Sequence, residues 1–179
     1  MEQSKTSKDI KKLVYDFIGE HPEVIEVIID FIEKKPELKE HIPDMLKVYI
    51  RLIKCFENGH TLFLCGNGGS FADCMHFSAE LIKSFEKKRD LNPADRESFK
   101  NLPYGKDVSD ALEYGFPVHV LGLNHSLFSA VQNDNPVRYM EFAQELFAFG
   151  KKGDVFIGVS TSGNARNVVY AMITAKATG

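Results

Sequence analysis

The sequence predicts a three-layer α/β domain, a parallel sheet of strand order 2-1-3 between helices, preceded by a group of N-terminal helices. Three observations carry this. Three short apolar runs, residues 61–65, 117–123 and 154–160, are too short for helices and read as buried strands. The apolar residues between them recur at helical spacing. The first and third runs each end in a polar, glycine-containing turn that leads into a helix, and ligands of open α/β sheets bind at such strand ends.

Taken in order, residues 8–34 place Ile10, Leu13, Val14, Phe17 and Ile18 on one helical stripe. The nearly all-round apolar set Val24, Ile25, Val27, Ile28, Ile29, Phe31 and Ile32 follows. His21-Pro22 and Lys35-Pro36 punctuate them, so two short helices are expected. A longer third helix over residues 43–58 aligns Met45, Leu46, Tyr49, Leu52, Ile53 and Phe56 and ends at Gly59. So much apolar surface ahead of the first strand requires a partner, either the sheet or, as favoured here, another subunit. Residues 1–58 are read as a helical segment and residues 59–179 as the sheet domain.

The first strand, TLFLC, stops abruptly at Gly66, Asn67, Gly68, Gly69 and Ser70. A strand, a glycine turn and a helix start present backbone N–H groups to an anion, most often a phosphate. Ser70 is the expected N-cap, and Asp73 complements the positive helix end. One turn further, His76 and Glu80 stand at i and i+4 on one face. Such a pair is commonly a surface or packing feature; behind an anion-binding turn it becomes a candidate for chemistry. The charged stretch that follows, as far as Phe116, shows no strand pattern. Its Lys83, Lys87, Lys88 and Arg89 either reach toward a phosphate or form a solvated face.

After the second strand, a helix over residues 126–131 leads to Asn133 and Asp134. These are expected to open a turn into a helix through Tyr139, Phe142 and Leu146 that Gly150 ends. The third strand leaves through Ser160, Thr161, Ser162, Gly163 and Asn164, read either as a phosphate cradle at a helix start or as a simple N-cap box. With order 2-1-3 the run VFIGV becomes an apolar sheet edge, and Gly179 reads as a helix-ending glycine before a further strand. A longer domain, or a second chain over that edge, is therefore expected.

The same patterns exclude ligands. Counting from Gly66, the sixth position of a dinucleotide fingerprint is Phe71, and Asn124 and His125 stand where a ribose-binding acid belongs. Gly69 is followed by Ser70 and Phe71, not by Lys and a hydroxyl residue, which rules out a P-loop. A net charge of −3 and a pI near 6.1 give no global attraction to nucleic acid or to an anionic membrane. Cys55, Cys65 and Cys74 form no C-x-x-C and suit a reducing cytoplasm. The N-terminus, MEQSKTSKDIKK, is too polar for a signal peptide, and no apolar run approaches the ~18 residues of a membrane span.

CGNGGSFADCMHFSAEL, residues 65–81, resembles the signature of sugar isomerase (SIS) domains, and among them the bacterial phosphoheptose isomerases. GDVFIGVSTSGNARNV, residues 153–168, is a second match, and Gln132, Asn133 and Asp134 a weaker third, so the resemblance spreads over roughly residues 45–179. It implies a flavodoxin-like SIS fold for residues 59–179 and isomerisation of sedoheptulose 7-phosphate to a manno-heptose 7-phosphate. It also implies Glu80 in proton transfer, and His76 and Glu80 as zinc ligands, completed by a Gln and a His of a C-terminal helix not expected within these 179 residues. Asn67, Gly68, Gly69, Ser70, Asn133, Asp134, Ser160, Thr161 and Ser162 would hold the phosphorylated sugar; Ala165 stands where the family usually has a second Ser. A homotetramer formed through helical contacts is implied as well.

The chemistry by itself points to the same residue. Aldose–ketose isomerisation needs a base that moves a proton between adjacent carbons and an acid or metal that stabilises the enediolate. Glu80 is the best candidate base. The alternative from a different class is a non-catalytic SIS module that binds a sugar phosphate or a protein partner as a regulator.

Overall fold

A computed structural model describes residues 15–179. Ile10, Leu13 and Val14 of the first expected helix lie outside them, while residues 15–20 are helical. The described residues form two compact units that divide between Lys54 and Cys55.

In the first unit, α1 (Glu23–Lys34) and α2 (Ile42–Glu57) flank a 3-10 turn (Pro36–His41). Pro22 precedes α1 and Pro36 opens the turn, positions where a missing N–H costs no helical hydrogen bond. The apolar sides of the two helices line a cavity of about 470 Å³, with Val24, Ile28, Phe31, Met45 and Tyr49 among its walls. Phe17 packs edge-on against Tyr49, ring centroids 5.8 Å apart.

In the second unit, β1 (Leu62–Gly66) is the centre of a parallel sheet of order β2-β1-β3, with β2 (Val118–Val120) and β3 (Val155–Val159) on its two sides. This is the order the sequence predicts. All five residues of β1 are buried, as a strand covered on both faces requires. From β1 the chain enters α3 (Gly69–Ile82), crosses two short helices, α4 (Pro93–Glu97) and α5 (Gly105–Ala111), and forms β2. After it come α6 (His125–Asp134), α7 (Glu141–Phe149), β3 and α8 (Arg166–Thr178). Phe63 and Cys65 share one face of β1 and meet Phe142 and Leu146 of α7 and Val168 and Ala171 of α8 in the main core cluster.

Several boundaries differ from expectation, each for a local reason. The N-cap of α3 is Gly68, not Ser70: Gly68 takes φ +54° and ψ −121°, which only glycine adopts without strain, so the helix begins earlier. The second strand is three residues long because Gly122, at φ +96°, turns the chain away and gives its N–H to the Glu145 carboxylate at 2.7 Å. Asn133 and Asp134 do not open a turn; they end α6, because Asn135 precedes Pro136 and is held in extended backbone. Tyr139 then takes φ +71° in the connection, outside any helix, and α7 begins at Glu141. Ser160, Thr161 and Ser162 sit in a loop rather than at a helix start, since α8 begins only at Arg166.

The charged excursion between α3 and β2 carries two helices that the sequence did not announce, and its ends are pinned together. Phe116 gives its N–H to the Leu81 carbonyl at 3.0 Å and Tyr114 to that of Arg89 at 2.7 Å. The Arg89 guanidinium bonds the carbonyls of Tyr114 and Leu81, at 2.6 and 2.8 Å, and lies 5.0 Å from the centre of the Phe116 ring. The Ser84 hydroxyl and two backbone N–H groups bond Glu113, which holds its carboxyl below the usual carboxylate range. β3 lies at the sheet edge with Val155, Phe156 and Ile157 half-buried. Among the described residues no helix is long and apolar enough to cross a membrane.

The core sets a pH dependence. Cys65 is fully buried, and desolvation, with Cys74 as a lesser contributor, pushes its thiol up to about 12. The unfolded thiol, near 9.0, loses its proton first as pH rises. Stability from this group is therefore intact below pH about 9 and falls above it, by up to about 1.4 kcal/mol per pH unit. Urea unfolding between pH 8 and 10 is expected to show a shallower loss for Cys65→Ala than for the parent; equal slopes would refute the assignment.

Candidate active site

The strand register builds the site. Gly66 at the end of β1 is paired with Val159 at the end of β3, so the next residues, Asn67 and Ser160, leave the sheet side by side at its carboxyl edge. Two chain turns of the kind that hold phosphates thus meet where open α/β sheets take their ligands. The turn after β1 is tight: a Cβ on Gly66 would lie 2.8 Å from the backbone carbon and oxygen of Ser70. No side chain caps α3, and the Phe71 N–H bonds the Gly68 carbonyl, which leaves the Gly69 and Ser70 N–H groups at the positive end of the helix dipole for a ligand. In the turn after β3, the Ser160 and Ser162 hydroxyls are 3.4 Å apart, and Ser162 Oγ accepts the Asn164 N–H at 3.2 Å. Gly163, at φ +66°, closes that turn.

An amide pair ties the two turns together. Asn67 Nδ2 donates to Asn167 Oδ1 at 3.0 Å, and Asn167 Nδ2 donates back to Asn67 Oδ1 at 2.8 Å. Asn167 stands in the first turn of α8, so this contact joins residues a hundred positions apart in sequence. Asn67 is exposed but not free to swing, and it keeps one N–H and one lone pair for a ligand.

On α3, Cys74 and Ser78 are buried, and His76 and Glu80 occupy the exposed side, at 79% and 37% side-chain exposure. His76 Nε2 lies 3.4 Å from Glu80 Oε1. Asn133 donates to Asp134 at 2.8 Å, and among the described residues neither bonds to the turns after β1 or β3. Of the four candidate phosphate-binding cations, Lys88 pairs with Asp90 at 2.8 Å and Arg89 is committed to backbone carbonyls. The structure therefore brings together Asn67, Gly68, Gly69, Ser70 and the residue 160–164 turn, adds His76 and Glu80 on the adjoining helix, and links Asn133 and Asp134 only to each other.

No family model matches the chain. It is 37% identical to a phosphoheptose isomerase of Fusobacterium nucleatum over 133 residues, 74% of this chain and 55% of that one. With a phosphoheptose isomerase of Roseiflexus sp. it shares 31% over 134 residues, 75% of this chain and 55% of the relative. This chain is a homologue of the phosphoheptose isomerases. It spans about half the length of the curated relatives it matches.

The fold of this phosphoheptose isomerase homologue matches solved structures as well. The phosphoheptose isomerase of Neisseria gonorrhoeae superposes with a TM-score of 0.58 at 24% identity, covering 88% of this chain and 70% of the other. That of Francisella tularensis gives 0.60 at 21% identity, covering 87% and 71%. The α/β sheet of order 2-1-3 is the SIS architecture of these neighbours.

Two buried residues behind the turns escaped the sequence reading. Asn167 lies inside the second motif, where it reads as one more polar residue of a helix start. Glu141 falls between Tyr139 and Phe142 inside the expected helix, where nothing singles it out; in the structure it is 3% exposed and bonded to Asn167.

Proposed function

We propose that this chain carries the sugar-phosphate site of an aldose–ketose isomerase that converts sedoheptulose 7-phosphate to D-glycero-D-manno-heptose 7-phosphate. One observation carries the reading: the register of β1 and β3 sets two phosphate-type turns side by side, and the first continues into the helix bearing His76 and Glu80. Asn67, Gly68, Gly69 and Ser70, with Ser160, Thr161 and Ser162, hold the phosphosugar through backbone N–H groups and short side-chain donors. Asn133 and Asp134 are assigned to the sugar by homology. Glu80 removes the proton from C1 of the ketose and returns it to C2, while the O1 hydroxyl proton passes to O2 through water. His76, 3.4 Å away, orients the Glu80 carboxylate.

Zinc is proposed for the His76–Glu80 pair on homology alone. A catalytic zinc takes three protein ligands. Among the described residues no third His, Cys, Asp or Glu completes such a group, so the set present does not fit a whole zinc site and the proton transfer is assigned to protein groups. The second reading is a regulator that binds the phosphosugar without turning it over, a role that needs the two turns but not the His76–Glu80 pair. The test is incubation of the full-length protein with sedoheptulose 7-phosphate, with and without added zinc, followed by NMR of the sugar. Appearance of the aldose supports the isomerase; binding without aldose supports the regulator.

We further propose a homo-oligomer in the cytoplasm. Val27, Ile29, Met45 and Tyr49 on α1 and α2 are 68%, 52%, 44% and 44% exposed, an apolar surface that a second subunit would cover, and the three cysteines are free. Sedimentation is expected to give a dimer or tetramer, with Val27→Glu shifting it toward monomer; a monomeric parent would refute the assembly.

A further inference from the structure

We propose that Glu141 is a positioning residue of the phosphosugar site, acting through Asn167 on Asn67; the inference rests on the site reading above. Glu141 is 3% exposed at the start of α7 and Asn167 is 8% exposed on α8. Asn167 Nδ2 donates to Glu141 Oε1 at 3.2 Å as well as to Asn67 Oδ1, and Asn167 Oδ1 accepts from Asn67 Nδ2 and from the Val168 N–H at 3.0 Å. Every hydrogen-bonding valence of the Asn167 amide is filled.

A reciprocal pair of amides is nearly indifferent to both turning over together, because each still offers one donor and one acceptor to the other. Glu141 and the Val168 N–H together remove that indifference. Turned over, Asn167 would present its oxygen to a carboxylate oxygen, two acceptors face to face in a buried place. Glu141 therefore reinforces the Asn167 orientation that the Val168 N–H also favours, and Asn167 selects that of Asn67. The edge that Asn67 turns toward the ligand is thus held in part by a carboxylate that the ligand does not touch.

The second Glu141 oxygen, Oε2, is buried and has no hydrogen-bond partner among the described residues. A buried acceptor left unsatisfied opposes folding. Glu141 is thus poorly explained as a stabilising residue, and the side-chain bond it makes among the described residues goes to the amide that pairs with Asn67.

The test compares binding of sedoheptulose 7-phosphate by full-length parent, Glu141→Leu, Glu141→Gln, Asn67→Ala and the Asn67→Ala/Glu141→Leu double variant. Calorimetry gives affinity and urea unfolding gives stability. The expected result is about a tenfold loss of affinity in Glu141→Leu without a matching loss of stability. Substantial rescue is expected in Glu141→Gln, which keeps an acceptor, and the double variant binds no more weakly than Asn67→Ala alone. If Glu141→Leu does not fold, Glu141→Met takes its place in the same cycle. Parent-like binding by Glu141→Leu, equal losses in the Leu and Gln variants, or additive losses in the double variant overturn the inference and leave the site reading intact. Absence of binding by the parent overturns both.

Discussion

Glu80→Gln is expected to lower turnover of sedoheptulose 7-phosphate by about 10³-fold, within the range for loss of a general base. Binding of the same ketose is expected to survive. The amide keeps the size and polarity of the carboxylate but cannot accept the proton from C1. Glu80 lies on the exposed side of α3, opposite the buried Cys74 and Ser78, so the exchange leaves the packing alone and stability should move by no more than about 0.5 kcal/mol. A fall in turnover with affinity retained is the mark of a group that acts in the transition state rather than in ground-state binding. Single-turnover rates and equilibrium affinities measured on one preparation separate the two. Turnover within about tenfold of the parent would remove Glu80 from the mechanism, since a base contributes at least about 10².

Gly66→Ala is expected to abolish measurable phosphosugar binding and to cost about 1–3 kcal/mol of stability, as overpacking does. The added Cβ would lie 2.8 Å from the Ser70 carbonyl carbon and oxygen. Those are backbone atoms at the first turn of α3, so the conflict cannot be relieved by turning a side chain. Either the strand end or the helix start must move, and the N–H groups aimed at the phosphate move with it. Gly19→Ala, outside the site, is the control, since a Cβ there meets nothing within 4 Å. Equal binding by both variants would show that the turn geometry does not set affinity.

How much of this was legible in the sequence depends on the range of the forces involved. The β1 run, the glycine turn and the i, i+4 pair His76 and Glu80 are local, and they read correctly because strand period, glycine and helical spacing are local properties. The order 2-1-3 was legible because two strand exits carried the same polar pattern. The limits of α6 and α7 were missed because Asn133 and Asp134 suit a turn as well as a helix end, and the effect of Pro136 on Asn135 decided between them. The capping role assigned to Ser70 failed because the Gly68 conformation started the helix earlier. Glu141 and Asn167 were illegible for another reason. Their bond spans 26 residues and that of Asn67 with Asn167 spans 100, so only the register of β1 against β3 reveals them.

The pinned ends of the excursion between α3 and β2 have an evolutionary consequence. Because Phe116 meets Leu81 and Arg89 bonds both sides of the neck, the sheet is insulated from whatever length of chain lies between. Closing a loop costs free energy that grows only with the logarithm of its length, so once the neck is fastened, adding or removing residues beyond it changes the fold's stability little. The segment can therefore be lengthened, shortened or exchanged as a unit under selection while the turns at the sheet's carboxyl edge stay fixed, making it the place where descendants of one scaffold can diverge at least cost to their shared chemistry.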